Sequence, residues 1–213
     1  MFLKNPQNSE GFLSMAKRIV VLIDGAFLRV KAAKAGKKYD PTFIEAFALG
    51  CKTSDEEILR VLYYDCVPYS GTVRLPVSGA PFVFAGSDKW LEELACKDLF
   101  AVRLGVLKFR GYKPKRTPID QSTPLTDNDF DLDFEQKGVD LKIGLDIASY
   151  CENRHADRVV LVYNDTDCVP AIKYGRKSGM QVVVAELPNC EIARELLMHS
   201  DFKRSVPWPS HLT

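Results

Sequence analysis

Four runs in this chain, IVVLID, RVLYYDC, RVVLVY and MQVVVA, are apolar at consecutive positions rather than at alternate ones. A strand with one face in water alternates; one that is apolar throughout is covered on both faces, as in a parallel sheet. Together with a fifth run, the strand segments fall at 18–24, 59–66, 100–109, 158–163 and 180–185. Helix-length segments separate them, at 26–35, 41–51, 87–97, 138–154, 167–177 and 190–199. Pro41 after Asp40 fits an N-cap followed by proline at the first helical position, and GRKSG at 175–179 ends a helix with cations and a glycine. Strands alternating with helices predict an α/β fold, a mostly parallel sheet of about five strands flanked by helices on both faces.

The 213 residues, 46% hydrophobic, suffice for one sizeable core. Residues 1–16 are polar and aperiodic and read as a disordered leader, 17–204 as a single domain, and 205–213 as a C-terminal tail. Within the domain, 111–137 holds little core material and reads as a long surface loop. With 29 basic and 28 acidic residues the net charge is +1, so the total does not signal a nucleic-acid partner, although a local patch can still serve one. The six cysteines show no C-x-x-C and no pairing with histidine at zinc spacing; reduced, mostly buried thiols are expected. No apolar stretch approaches the ~20 residues of a membrane span, and a cytoplasmic setting is the expectation.

Ligands of open parallel sheets bind at the carboxyl ends of the strands. Asp24 ends the first strand, Asp165 and Asp167 follow the fourth, and Asp140 falls in the first turn of the helix beginning at 138. Asp65 closes the second strand and is free to point elsewhere. Two like charges about 4 Å apart repel by roughly 4 kcal/mol at an effective dielectric near 20. Converging carboxylates therefore protonate or take up a cation, and an all-oxygen set suits Mg²⁺ or Mn²⁺. Each acid has a plainer role as well. Asp24–Gly25 can be a turn, Asp167 a helix cap, and Asp140 a partner of the helix dipole.

The segments VVLIDGAFLR, RVLYYDC, FAVRLGVLKFRG, KGVDLKIGLDIASY and ADRVVLVYNDTDCVPAIKYGRKSGMQVVV resemble the NYN domain, the LabA-like or DUF88 group of PIN-like proteins, over 17–201. The resemblance implies a PIN-like fold and a Mg²⁺- or Mn²⁺-dependent ribonuclease. Its catalytic and metal-binding acids would be Asp24, Asp140, Asp165 and Asp167, with Asn164 and Thr166 supporting them. Asp146 also matches a family acid, but on an ideal helix it lies about 120° around from Asp140 and reads as a supporting residue. Two positions depart from the pattern: Phe27 stands where many members have asparagine, and Tyr163 where many have serine. PIN-like domains often pair, so a homodimer is expected by the same analogy.

A basic strip, Arg103, Lys108, Arg110 and Lys113, interleaved with Phe109 and Tyr112, can track and stack a single-stranded RNA, or can equally guard a sheet edge. Lys137 can touch phosphate or simply be solvated. The acidic run DNDFDLDFE, 127–135, lacks the glycine and terminal acid of a calcium loop and reads as a flexible or edge segment over that strip. The alternative function is an inactive domain that binds RNA or protein without cutting. A phosphatase with Asp24 as nucleophile is weaker, because such enzymes usually place a second aspartate two residues on, where this chain has Ala26.

Overall fold

A computed structural model describes residues 16–119, 122 and 124–210, so the expected leader lies outside the described residues except for Ala16. Along the chain come β1 (Lys17–Asp24), α1 (Gly25–Lys34), α2 (Pro41–Leu49), β2 (Glu56–Val67), β3 (Ser70–Arg74) and β4 (Pro81–Ala85). They are followed by α3 (Lys89–Ala95), β5 (Phe100–Pro114), β6 (Phe130–Lys137), α4 (Val139–Glu152) and β7 (Arg158–Val162). The chain finishes with α5 (Val169–Lys177), β8 (Gln181–Glu186), α6 (Arg194–His199) and β9 (Phe202–Ser205).

Successive residues of β1 point to opposite faces, and both faces are packed. Ile19, Val21 and Ile23 meet Leu28, Ile44 and Phe47 on one side. Val20 and Leu22 meet Ile143, Ile147 and Ile172 on the other. That two-sided burial is why the run is apolar at every position. The sheet has seven strands in the order β6-β5-β2-β1-β7-β8-β9, all parallel except β6. The α/β class holds, and the five expected strands are all present. The expected count is too small: β6 and β9 join the sheet as its edges, and β3 and β4 form a separate antiparallel hairpin. The sheet grows outward from β1 through β2 and β5, then returns along α4 and grows the other way through β7. β1 is thus the switch point, where open α/β sheets hold their ligands.

The expected loop at 111–137 is corrected by the structure. β5 runs on to Pro114 and β6 occupies Phe130–Lys137, antiparallel to it. β5 pairs with β2 only as far as Val106, so its last eight residues overhang the sheet by roughly 27 Å with β6 alone beside them. Lys137 lies opposite Val106, level with the end of β2. Gly138 then takes a left-handed conformation, φ +83°, that turns the chain into α4. The arm therefore sets the start of α4, and Asp140 with it, at the carboxyl edge. The expected tail is also partly packed: Val206 is fully buried, and Trp208 lies against Phe43 and Phe47.

At the opposite end of the sheet, Glu56 is buried and bonded to Arg158 and to both terminal nitrogens of Arg204, 2.8 Å each. Arg158 also bonds Gln181. These contacts tie β2, β7, β8 and β9 together where the sequence offers no apolar pattern.

Candidate functional site

Asp24 is the last residue of β1 and the N-cap of α1, and its Oδ1 accepts hydrogen bonds from the backbone N–H groups of Ala26 (2.9 Å) and Phe27 (3.1 Å). Both bonds fall on one oxygen; Oδ2 takes neither. Burial pushes the Asp24 pKa up from 3.8 to about 6, the Asp65 and Asp140 carboxylates add to the rise, and the two N–H groups oppose it. The Phe27 side chain packs against the core, so the departure from asparagine swaps a polar group for packing.

Gly25 opens a helix rather than a turn. A Cβ there would collide with the Tyr63 hydroxyl and sit 2.8 Å from Asp65 Oδ2. The second strand thus closes on the Asp24–Gly25 step, and it does so with Asp65, the acid that the sequence left unplaced. Asp65 is 2% exposed. Its oxygens accept from Arg29 Nη1 (2.5 Å) and Nη2 (3.4 Å), from the Tyr63 hydroxyl (3.1 Å) and from the Cys66 N–H (2.8 Å). Tyr63 in turn shares a 2.7 Å hydrogen bond with Tyr39, whose hydroxyl also reaches the Gly25 carbonyl. Nothing in the spacing of Asp65 from Arg29 announces the pair, which forms only when α1 folds over β2.

Asp140 is exposed in the first turn of α4 and accepts a 2.8 Å hydrogen bond from the Tyr163 hydroxyl at Oδ1. Burial first, and then this bond, keep the Tyr163 phenol protonated far above its usual range. The tyrosine standing where serine was expected is long enough to orient Asp140 from the end of β7. Asp165 and Asp167 are both exposed. The expected cap is corrected: Asp165, not Asp167, caps the chain after β7, accepting from the Asp167 N–H at 3.1 Å to start the short 3-10 turn Thr166–Cys168. Thr166 opens that turn, and α5 itself starts at Val169. Asn164 bonds the Glu191 carbonyl and the Ala193 N–H, fastening the loop before α6. Asp146 ties α4 to the sheet through the Tyr64 hydroxyl (2.8 Å) and Arg103 (3.3 Å).

Asp65 and Asp140 both act on Asp24, and Asp140 and Asp165 both act on Tyr163. Asp24 closes β1, Asp140 lies in the first turn of α4 and Asp165 follows β7, so these acids sit at element ends on the carboxyl edge. Among the described residues, no three histidines, cysteines, aspartates or glutamates converge into a group that could hold a metal ion.

The basic strip does not lie bare. β6 brings its acids alongside: Arg110 pairs with Glu135 at 3.4 Å, Lys113 with Asp133 at 2.7 Å and Lys115 with Asp131 at 3.9 Å. Lys137 pairs with Glu135, Arg103 with Asp146, and Lys108 sits across the ladder from Glu135. Such surface pairs add little stability, about 0–1 kcal/mol each, but they cancel the local charge. Phe109 packs at tilted or edge-on angles against Tyr69, Phe84, Phe134 and Tyr112, so its ring is engaged between the arm and the β3–β4 hairpin.

No family model matches the chain, and no curated protein matches it. A solved structure does: the crystal structure of a protein of unknown function from Vibrio parahaemolyticus superposes with a TM-score of 0.51 over 90% of this chain and 93% of that one, at 15% sequence identity. At that identity the likeness is one of fold. Among the described residues, no helix is long and apolar enough to cross a membrane.

Proposed function

We propose that this chain is a PIN-like ribonuclease of the NYN type, hydrolysing phosphodiester bonds of single-stranded RNA with Mg²⁺ or Mn²⁺ at the carboxyl edge of the sheet. The observation that carries the reading is Asp24, a half-buried carboxylate at the switch point whose pKa is lifted to about 6 by burial and by neighbouring acids. A carboxylate kept there against that cost is a functional-site signal.

The donor set is all oxygen, which fits a hard dication. Since no three acids converge among the described residues, the fit is to Mg²⁺ held by one or two carboxylates plus substrate phosphate and water, a common arrangement for that ion. Asp24 and Asp140 would hold it, with Asp165 and Asp167 exposed in the turn after β7. Such an ion supplies positive charge against the scissile phosphate and makes water easier to deprotonate. The chain's own residues do the rest. The Ala26 and Phe27 N–H groups fix Asp24 through Oδ1, leaving Oδ2 free to hold the ion. The Tyr163 phenol, which stays protonated, holds Asp140 in one orientation.

A second reading, RNA binding without cleavage, is favoured by one observation: the absence of a three-ligand group among the described residues. Incubating single-stranded RNA with the protein and Mg²⁺ or Mn²⁺, beside Asp24→Asn and Asp165→Asn, separates the two. Cleavage lost in both variants supports the nuclease. Cleavage unchanged in both, or absent from the wild type with every metal, rejects it. RNA retarded but uncut supports the second reading.

A further inference from the structure

Next to the Asp24–Gly25 step opens a cavity of about 460 Å³, within the usual range for small-molecule sites. We infer that it is a subsite for a nucleobase of single-stranded RNA, an inference that rests on the ribonuclease reading. Its walls are mostly apolar, with Leu107 and the rings of Tyr39 and Trp90, which meet edge to face at 6.4 Å and 69°. Aromatic walls of this kind bind bases by their π faces.

The polar groups select among flat ligands. Arg29 and Gln136 line the cavity. A guanidinium has five N–H donors, and Asp65 takes only one from each terminal nitrogen, so the others are left to meet a ligand. The Gln136 amide adds both donors and an acceptor. A mixed row of donors and acceptors along a planar ring is what a nucleobase presents and what a purely apolar ligand lacks. Charge excludes a simple anion trap: buried Asp65 balances Arg29, and Asp24 lies just beyond, so a neutral polar ring is favoured over free phosphate. Asp65 is a positioning residue here. Both of its oxygens are occupied by Arg29, Tyr63 and Cys66, and its work is to hold the guanidinium in place.

The chain has two tryptophans, and Trp208 is partly buried against Phe43 and Phe47, so Trp208→Phe leaves Trp90 as a reporter inside the cavity. Titrating that protein with each of the four ribonucleosides is expected to change Trp90 emission saturably for at least one of them, while inorganic phosphate has no effect. Gln136→Leu, on an edge strand, should weaken that nucleoside about fivefold with the melting temperature unchanged. A short oligoribonucleotide should bind at least about tenfold tighter than its nucleosides. The subsite is overturned if no nucleoside responds up to about 10 mM, if phosphate competes as well as nucleosides do, or if Gln136→Leu changes nothing. Equal affinity for nucleoside and oligonucleotide overturns the assignment to RNA. Nucleoside binding without RNA cleavage refutes the nuclease and keeps the subsite; cleavage without nucleoside binding does the reverse.

Discussion

Replacing Asp24 by asparagine should make the metal-free protein more stable, by an amount that grows with pH. The pKa of the group rises from 3.8 to about 6 in the fold. An acid whose pKa is raised by folding is favoured neutral, so its destabilising effect is absent below the unfolded-chain value, grows as pH rises, and is complete above about 6. At about 1.36 kcal/mol per unit, the full effect is about 3 kcal/mol at pH 8. Asparagine is as good an N-cap as aspartate and can accept the same two N–H groups, so the cap survives the change. Urea unfolding at pH 8 should therefore show Asp24→Asn up to about 3 kcal/mol more stable than wild type, or roughly 6–12 °C in a melt. Near pH 4 the gap should shrink below about 1 kcal/mol. Asp24→Ala, which loses the cap, should sit about 1 kcal/mol below Asp24→Asn at both pH values. A gap that is absent at pH 8, or that stays constant from pH 4 to pH 8, would refute the reasoning.

Three further outcomes follow from the geometry. Glu56→Gln should cost about 3 kcal/mol at pH 7 in urea unfolding: burial alone would raise the Glu56 pKa, but Arg204, the Thr53 N–H and Arg158 pull it from 4.5 to about 2. That stability is present above 4.5 and lost as pH falls toward 2, so the acid limb of the wild-type stability curve should flatten in the variant. Gly25→Ala should destabilise by about 1–3 kcal/mol in a thermal melt, because the methyl meets Tyr63 and Asp65. Neutralising the arm with Asp131→Asn, Asp133→Asn and Glu135→Gln together should raise affinity for single-stranded RNA in fluorescence anisotropy and steepen its dependence on log salt by about 2; unchanged binding would show that the strip does not meet RNA.

What the sequence disclosed depended on how each element is buried. β1, β7 and β8 were legible because two packed faces leave continuous apolar runs. The start of β2 was not, because Glu56 is buried through ion pairs that no hydropathy pattern records. β5 and β6 were hidden beyond Phe109 because a two-stranded ribbon needs apolar residues on one side only, and Phe130, Leu132 and Phe134 alternate with acids that read as loop. β9, Phe-Lys-Arg-Ser, was not legible because it is held by its backbone ladder to β8 and by the Arg204–Glu56 ion pair, neither of which leaves an apolar pattern. In the site, Asp24, Asp140 and Asp165 could be placed because strand and helix ends fix their positions. Asp65 could not, since its partner Arg29 is brought to it only by the packing of α1 on β2. Phe27 and Tyr163 looked like losses of polarity; one fills the core, and the other reaches Asp140.

The crowding at Gly25 has an evolutionary corollary. Because the volume a side chain would need there is already filled from β2, positions 25, 63 and 65 cannot drift independently. A methyl at 25 requires the phenol at 63 to retreat, which strips Tyr39 of its hydroxyl partner and Asp65 of a donor. A side chain at position 25 is therefore open only to a chain that has first given up bulk at 63, and the step from the first strand into its helix is locked by residues some forty positions downstream.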